Sequence, residues 1–161
     1  MQTEGIRTFS QHNLDRHCYS LKALPALEGF EGIVHLWETK KRGHLLPAWS
    51  DFKYDDFLGI HSRISVSEKE ENDFRFRVYG SELVRLLDQD LTNKLLCASI
   101  GVKWKGGAYA YFEEISQGPC IGRTQGFVAN SEQQMVPINA IDLPMGEDGE
   151  NVSHCLHFLN V

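Results

Sequence analysis

His154-Cys155-Leu156-His157 gathers three potential metal ligands into four residues. On a strand, side chains alternate, so His154 faces one way while Cys155 and His157 face the other. The three cannot meet on one ion, and the pair would need ligands from elsewhere, so no metal site is assigned. His12, His17 and Cys18 fall in a poorly patterned segment and add nothing to this set. Cys97 and Cys120 sit beside apolar neighbours, the usual setting of a buried, unreactive thiol. A Cys–His catalytic pair would have to meet in space rather than in sequence, and no catalytic residue is assigned. The motifs G-x-S-x-G, G-x-x-x-x-G-K-[ST] and H-E-x-x-H are all missing. Gly101 and the pair Gly106-Gly107 do not follow a strand as a phosphate loop requires.

The clearest positioning elements meet at Gly80. Phe74, Phe76 and Val78 share one face of a strand, with Arg75, Arg77 and Tyr79 on the other. That opposite face would put the two arginines against solvent, a flanking helix or a partner. Beyond Gly80, Ser81 can act as N-cap, and Leu83, Val84, Leu86 and Leu87 supply the buried stripe of a short helix. His61 to Ser67 reads as a preceding strand, joined through Glu68 to Asn72. Residues 102–117 carry Ala108, Tyr111, Phe112 and Ile115 at i, i+3, i+4 and i+7, with Gly118-Pro119 as the stop. Residues 120–129, 133–143 and 152–160 read as a meander of three strands, and Pro137 implies that the middle one starts or bulges there.

Upstream, Leu27, Phe30, Ile33, Val34 and Trp37 fall at helical spacing after Pro25, with Lys40-Lys41-Arg42 and Gly43 at the end. Residues 51–59 form a further short helix, capped by Ser50 or Asp51. Residues 1–24 are mostly polar without a sustained period and read as an N-terminal arm, leaving 25–161 as a single domain with 25–43 as its flanking helix.

Composition sets the outer limits. At 161 residues and 42% hydrophobic content, the chain can bury one substantial core. A net charge of −6 argues against a nucleic-acid partner, which needs a basic stripe to replace phosphate counterions. Four cysteines without a C-x-x-C pair indicate reduced thiols rather than a disulfide framework. No signal peptide or apolar run of roughly 20 residues appears, so a cytoplasmic location away from the membrane is expected.

Helix, two strands, short helices, a long helix and three strands is an order that resembles a PAS domain. A closer resemblance is to a family of small bacterial PAS-like proteins. It rests on Trp37, Leu46-Pro47-Ala48-Trp49-Ser50-Asp51-Phe52, Phe74-Arg75-Phe76-Arg77, Gly80-Ser81, Asp90-Leu91-Thr92, Leu143-Pro144 and Gly149. It covers about residues 27 to 161. Two positions depart from it: Asp88 and Asn93 stand where the family usually has glycine, although both tolerate left-handed backbone.

The resemblance implies an α+β PAS fold: a five-stranded antiparallel sheet, short helices and one long crossing helix on one face, and an N-terminal helix. That helix would pack on the other face or on a partner subunit. A photosensory flavin site would need a Cys in an Asn-Cys-Arg-Phe-Leu-Gln-like helix, which Leu95-Leu-Cys97-Ala-Ser99 does not provide. A haem site would usually draw a His from residues 102–117, which contain none. The cofactor is left unassigned.

The reading is a stand-alone sensory or regulatory module acting through a signalling partner or a homodimer. The dimer element would be Phe30, Ile33, Val34 and Trp37, a stripe that burial within the subunit would equally satisfy. A small apolar or aromatic ligand would lie between the sheet and residues 102–117, against Trp104, Ala108, Tyr111, Phe112, Ile115 and Phe76, for which core packing is the competing role. Two alternatives stand beside this: a small pocket enzyme of ketosteroid isomerase-like architecture, and a ligand-free interaction module.

Overall fold

The computed structural model describes residues 6–11, 14–99, 102–130 and 132–160, with side chains described at 14–97, 107–130 and 132–160. His12 and the side chain of Trp104 lie outside these sets. One antiparallel sheet organises the chain. Its strands are β1 (Ile6–Gln11), β2 (Leu14–Ser20), β3 (Ile64–Lys69), β4 (Phe74–Tyr79), β5 (Cys120–Ala129), β6 (Met135–Met145) and β7 (His154–Leu159). Their spatial order is β1-β2-β5-β6-β7-β3-β4. The helices are α1 (Glu31–Lys40), α2 (Ser81–Leu87), α3 (Leu96–Ser99) and α4 (Val102–Gln117), with single 3-10 turns at Trp49–Asp51, Tyr54–Phe57 and His61–Arg63.

From β3 onward, two strands, short helices, a longer helix and three strands follow in the order expected from the sequence. Among the described residues the sheet has seven strands rather than five, because part of the segment read as an arm folds into the β1–β2 hairpin. β2 continues the sheet beyond β5, with Cys18 opposite Gly122. The flanking helix α1 therefore follows two strands instead of leading the fold.

Both faces of the sheet are covered, so β7 is buried almost along its length and lacks the polar-out alternation of a one-sided sheet. One face carries Ile64, Val66, Ile121, Ile141, Leu143, Leu156 and Phe158 against Phe30, Ile33 and Trp37. Trp37 is fully buried, and its indole N–H donates to the Pro144 carbonyl at 2.7 Å. Val34 packs alongside. The stripe expected at a dimer interface is thus an intramolecular seam, and those side chains are not exposed for docking.

Local chemistry explains the boundaries. Gly80, not Ser81, is the N-cap of α2. A Cβ there would stand 2.2 Å from the Ser62 carbonyl oxygen, so only glycine lets β4 turn against the preceding loop. Asp88 ends α2 at φ 56°, and Asn93 turns at φ 61°, the left-handed geometry expected of these two substitutes for glycine. Pro137 lies inside β6 and pairs with Phe127, and β7 reaches β6 only from Ala140 onward. The proline thus sits where only one side of the strand is paired, and its missing N–H costs no ladder bond on the other side. Residues 51–59 form 3-10 turns rather than a helix, and the strand expected from His61 begins at Ile64.

Candidate functional site

Beneath α4, the second face of the sheet carries polar residues in a layer that is otherwise apolar. Alternation aims Ser65 and Ser67 of β3, Cys155 and His157 of β7, Asp142 of β6 and Thr124 of β5 at this side. Register does the rest, because His157 lies opposite both Asp142 and Ser65. Its Nδ1 is 2.5 Å from Asp142 Oδ1, and its Nε2 is 2.8 Å from Ser67 Oγ. The second Asp142 oxygen accepts the Tyr111 hydroxyl from α4. A carboxylate only accepts, so His157 donates its Nδ1 proton to Asp142, and in the neutral ring Nε2 accepts from Ser67.

Two packing features hold the chain of bonds in place. The Phe112 ring stacks on His157 at 5.0 Å, with 19° between the planes. Gly122 clears the floor under Tyr111: a Cβ there would meet the hydroxyl oxygen at 2.1 Å and Ile115 Cδ1 at 2.7 Å. The guanidinium of Arg16, from β2, lies 5.5 Å from the centre of the Tyr111 ring.

Electrostatics follow burial. Desolvation, then the Asp142 charge, pushes the Tyr111 phenol well above its ordinary value. Burial also raises the Cys155 thiol far from the reactive range. Tyr79 is pushed up to about 12, by burial first and Asp90 second. Both phenols hold their protons longer in the folded chain than in the unfolded one. Their stabilising contribution is therefore complete below about pH 10, the unfolded value, and that of Tyr79 declines as pH rises through about 12. Spectrophotometric titration should show less tyrosinate in native than in denatured protein at about pH 11.

Ser67, His157 and Asp142 stand in the order of a nucleophile, its base and the group orienting that base. Access decides against that chemistry. Ser67 is 1% exposed, and the void beside it, bounded by Phe74, Phe112 and Cys155, holds about 10 Å³. That is room for about one water, not for an acyl substrate.

Space opens further along the same face. A half-open cavity of about 200 Å³ lies between the sheet and α2. Leu83, Leu87, Val128 and Ile138 form apolar walls, while Arg16, Arg63, Ser65, Thr124 and His157 reach it from the sheet and the last 3-10 turn.

None of the expected pocket residues with described side chains lines this cavity. Phe76 and Ala108 pack together with Phe74 and Leu96, while Tyr111 and Ile115 pack with Cys18, Cys120 and Cys155. The space under α4 is filled by Phe112 on His157 and by the descending Tyr111, which displaces the opening toward α2. Sequence reasoning placed Cys155 and His157 on one face but missed Asp142, Ser67 and Arg16. The available signal was a lone acid within the apolar run Ile141-Asp142-Leu143-Pro144-Met145. Arg75 and Arg77, by contrast, pair with Glu70 at 2.6 Å and with Glu68 at the sheet edge.

No helix among the described residues is long and apolar enough to cross a membrane. No family model matches the chain, and no curated protein does. Two chains of solved structures match, one of them an RNA-binding Light-Oxygen-Voltage receptor. It shares 11% identity over 94% of this chain and 39% of its own, with a TM-score of 0.49. The chain thus spans about two fifths of that receptor's length. The likeness to a small bacterial PAS-like family expected from the sequence has no counterpart among these matches.

Proposed function

We propose that this chain is a PAS-like sensory or regulatory module that binds a small molecule between the sheet and α2 and passes its state to a protein partner. One observation carries this reading: the cavity of about 200 Å³, with leucine, valine and isoleucine walls and polar groups converging at one side. Apolar walls with a few placed polar groups are the general form of a ligand site. The Ser67–His157–Asp142–Tyr111 chain supports it as a rigid floor, since fully satisfied buried networks lock neighbouring strands in place. An enzyme of ketosteroid isomerase-like architecture is less well supported, because Asp142 has both oxygens engaged by His157 and Tyr111.

The test fills the cavity. Ala140, on its β6 wall, is replaced by phenylalanine, and native mass spectra of both proteins are compared with denaturing spectra. A small bound mass, lost on denaturation and missing from Ala140→Phe, is the expected result. An identical ligand-free mass for both, with no change in melting temperature across a metabolite panel, overturns the reading.

A further inference from the structure

One polar group in this cavity is left over. Ser65 and Ser67 stand two residues apart on β3 and face the same side, and Ser67 bonds to His157 Nε2 at 2.8 Å. Ser65 is 4% exposed and lines the cavity, and among the described residues nothing hydrogen-bonds to its hydroxyl. The other polar groups there are taken. His157 uses both ring nitrogens, on Asp142 and on Ser67, and the Thr124 hydroxyl bonds to that of Tyr111. Arg16 is already engaged, with the Asp142 charge acting on it, and the charges of Glu82 and Arg63 act on each other. The opposite wall, built from Leu83, Leu87, Val128 and Ile138, offers no polar side chain.

From this we propose that the cavity takes a small neutral alcohol or carbonyl compound, with its one oxygen on the Ser65 hydroxyl and a compact apolar body against α2. The inference rests on the ligand-binding reading above and adds the ligand's chemical class. A buried hydroxyl without a partner is costly, so Ser65 gains by receiving one. It can both donate and accept, which suits an alcohol or a carbonyl oxygen equally. A carboxylate or an ammonium would have to leave water for a site whose charged groups already act on one another, and its desolvation would go uncompensated. Size follows from volume: a cavity of about 150 Å³ accommodates benzene, so about 200 Å³ suits a single ring or a branched aliphatic chain bearing one oxygen.

NMR chemical-shift titration of the full chain with benzyl alcohol, toluene and benzoate, repeated on Ser65→Ala and Ala140→Phe, tests the assignment. Benzyl alcohol should bind, with benzoate at least about tenfold weaker. Ser65→Ala should weaken benzyl alcohol by about fivefold, the loss of one neutral hydrogen bond, and leave toluene within about twofold, with Ala140→Phe abolishing both. Toluene has no oxygen, so general damage to the cavity would weaken it as well. Should Ser65→Ala fail to fold, Ser65→Cys provides the same readout, because a thiol is only a weak donor and acceptor. The assignment is overturned by benzoate binding as tightly as benzyl alcohol, by benzyl alcohol binding that the serine variants leave unchanged, by toluene weakening in parallel, or by binding that survives Ala140→Phe. No binding of any probe at about 5 mM overturns it too. The ligand site itself falls only on an Ala140→Phe protein with the same ligand-free native mass as the wild type and no panel response in either.

Discussion

Asp142→Ala should lower the unfolding free energy by about 3–5 kcal/mol, because each buried donor left without its acceptor costs about 1–3 kcal/mol. Asp142 is 5% exposed and accepts from both His157 and Tyr111, so alanine strands two buried donors at once. Chemical denaturation of wild type and variant measures the difference, and for a domain of this size the melting temperature should fall by roughly 10 °C. Asp142→Asn, which keeps the volume and one acceptor oxygen, should cost less than alanine. A loss under about 1 kcal/mol for alanine would mean that water reaches and replaces these bonds.

On the other face, Trp37→Ala should cost about 3–5 kcal/mol, as for large aromatic truncations in a packed core. The indole is fully buried between α1 and the sheet and donates to Pro144, and Lys41 Nζ lies 4.1 Å from its ring centre. Trp37→Phe keeps most of the apolar contact but removes the donor, and should cost about 1–3 kcal/mol. Equilibrium denaturation of both variants checks the ordering. Equal losses would show that the hydrogen bond, rather than packing, dominates at this position.

Legibility in the sequence tracked how one-sided each element is. The turn at Gly80 and the spacing of Ala108, Tyr111, Phe112 and Ile115 were plain because each pattern has one buried face. β2 was hidden for the opposite reason. Leu14 and Cys18 are buried beneath one face while Tyr19 packs into the core on the other, and Arg16 sits between the two buried positions. A strand covered on both sides shows no alternation of polarity, so Leu14 to Ser20 resembled an arm. The polar chain was hidden by topology, since Ser67, Tyr111, Asp142 and His157 come from four elements. Only the pairing of β6 with β7 and of β7 with β3 puts them in reach, and register of that kind is not readable from local pattern. The stripe on α1 was read correctly as apolar, but periodicity does not specify whether its cover belongs to the same subunit.

The β2–β5 pairing also sets a clock on biosynthesis. Ser20 pairs with Cys120, so the β1–β2 hairpin, once made, must wait for a strand made one hundred residues later. At about 5–20 residues per second, that delay is about 5–20 seconds, far longer than the microseconds in which a hairpin closes. For that interval β2 presents an open edge, the template on which chains mispair. The wall of the cavity that carries Arg16 can be set only when β5 arrives, so in a nascent chain this cavity closes only after β5 has been made.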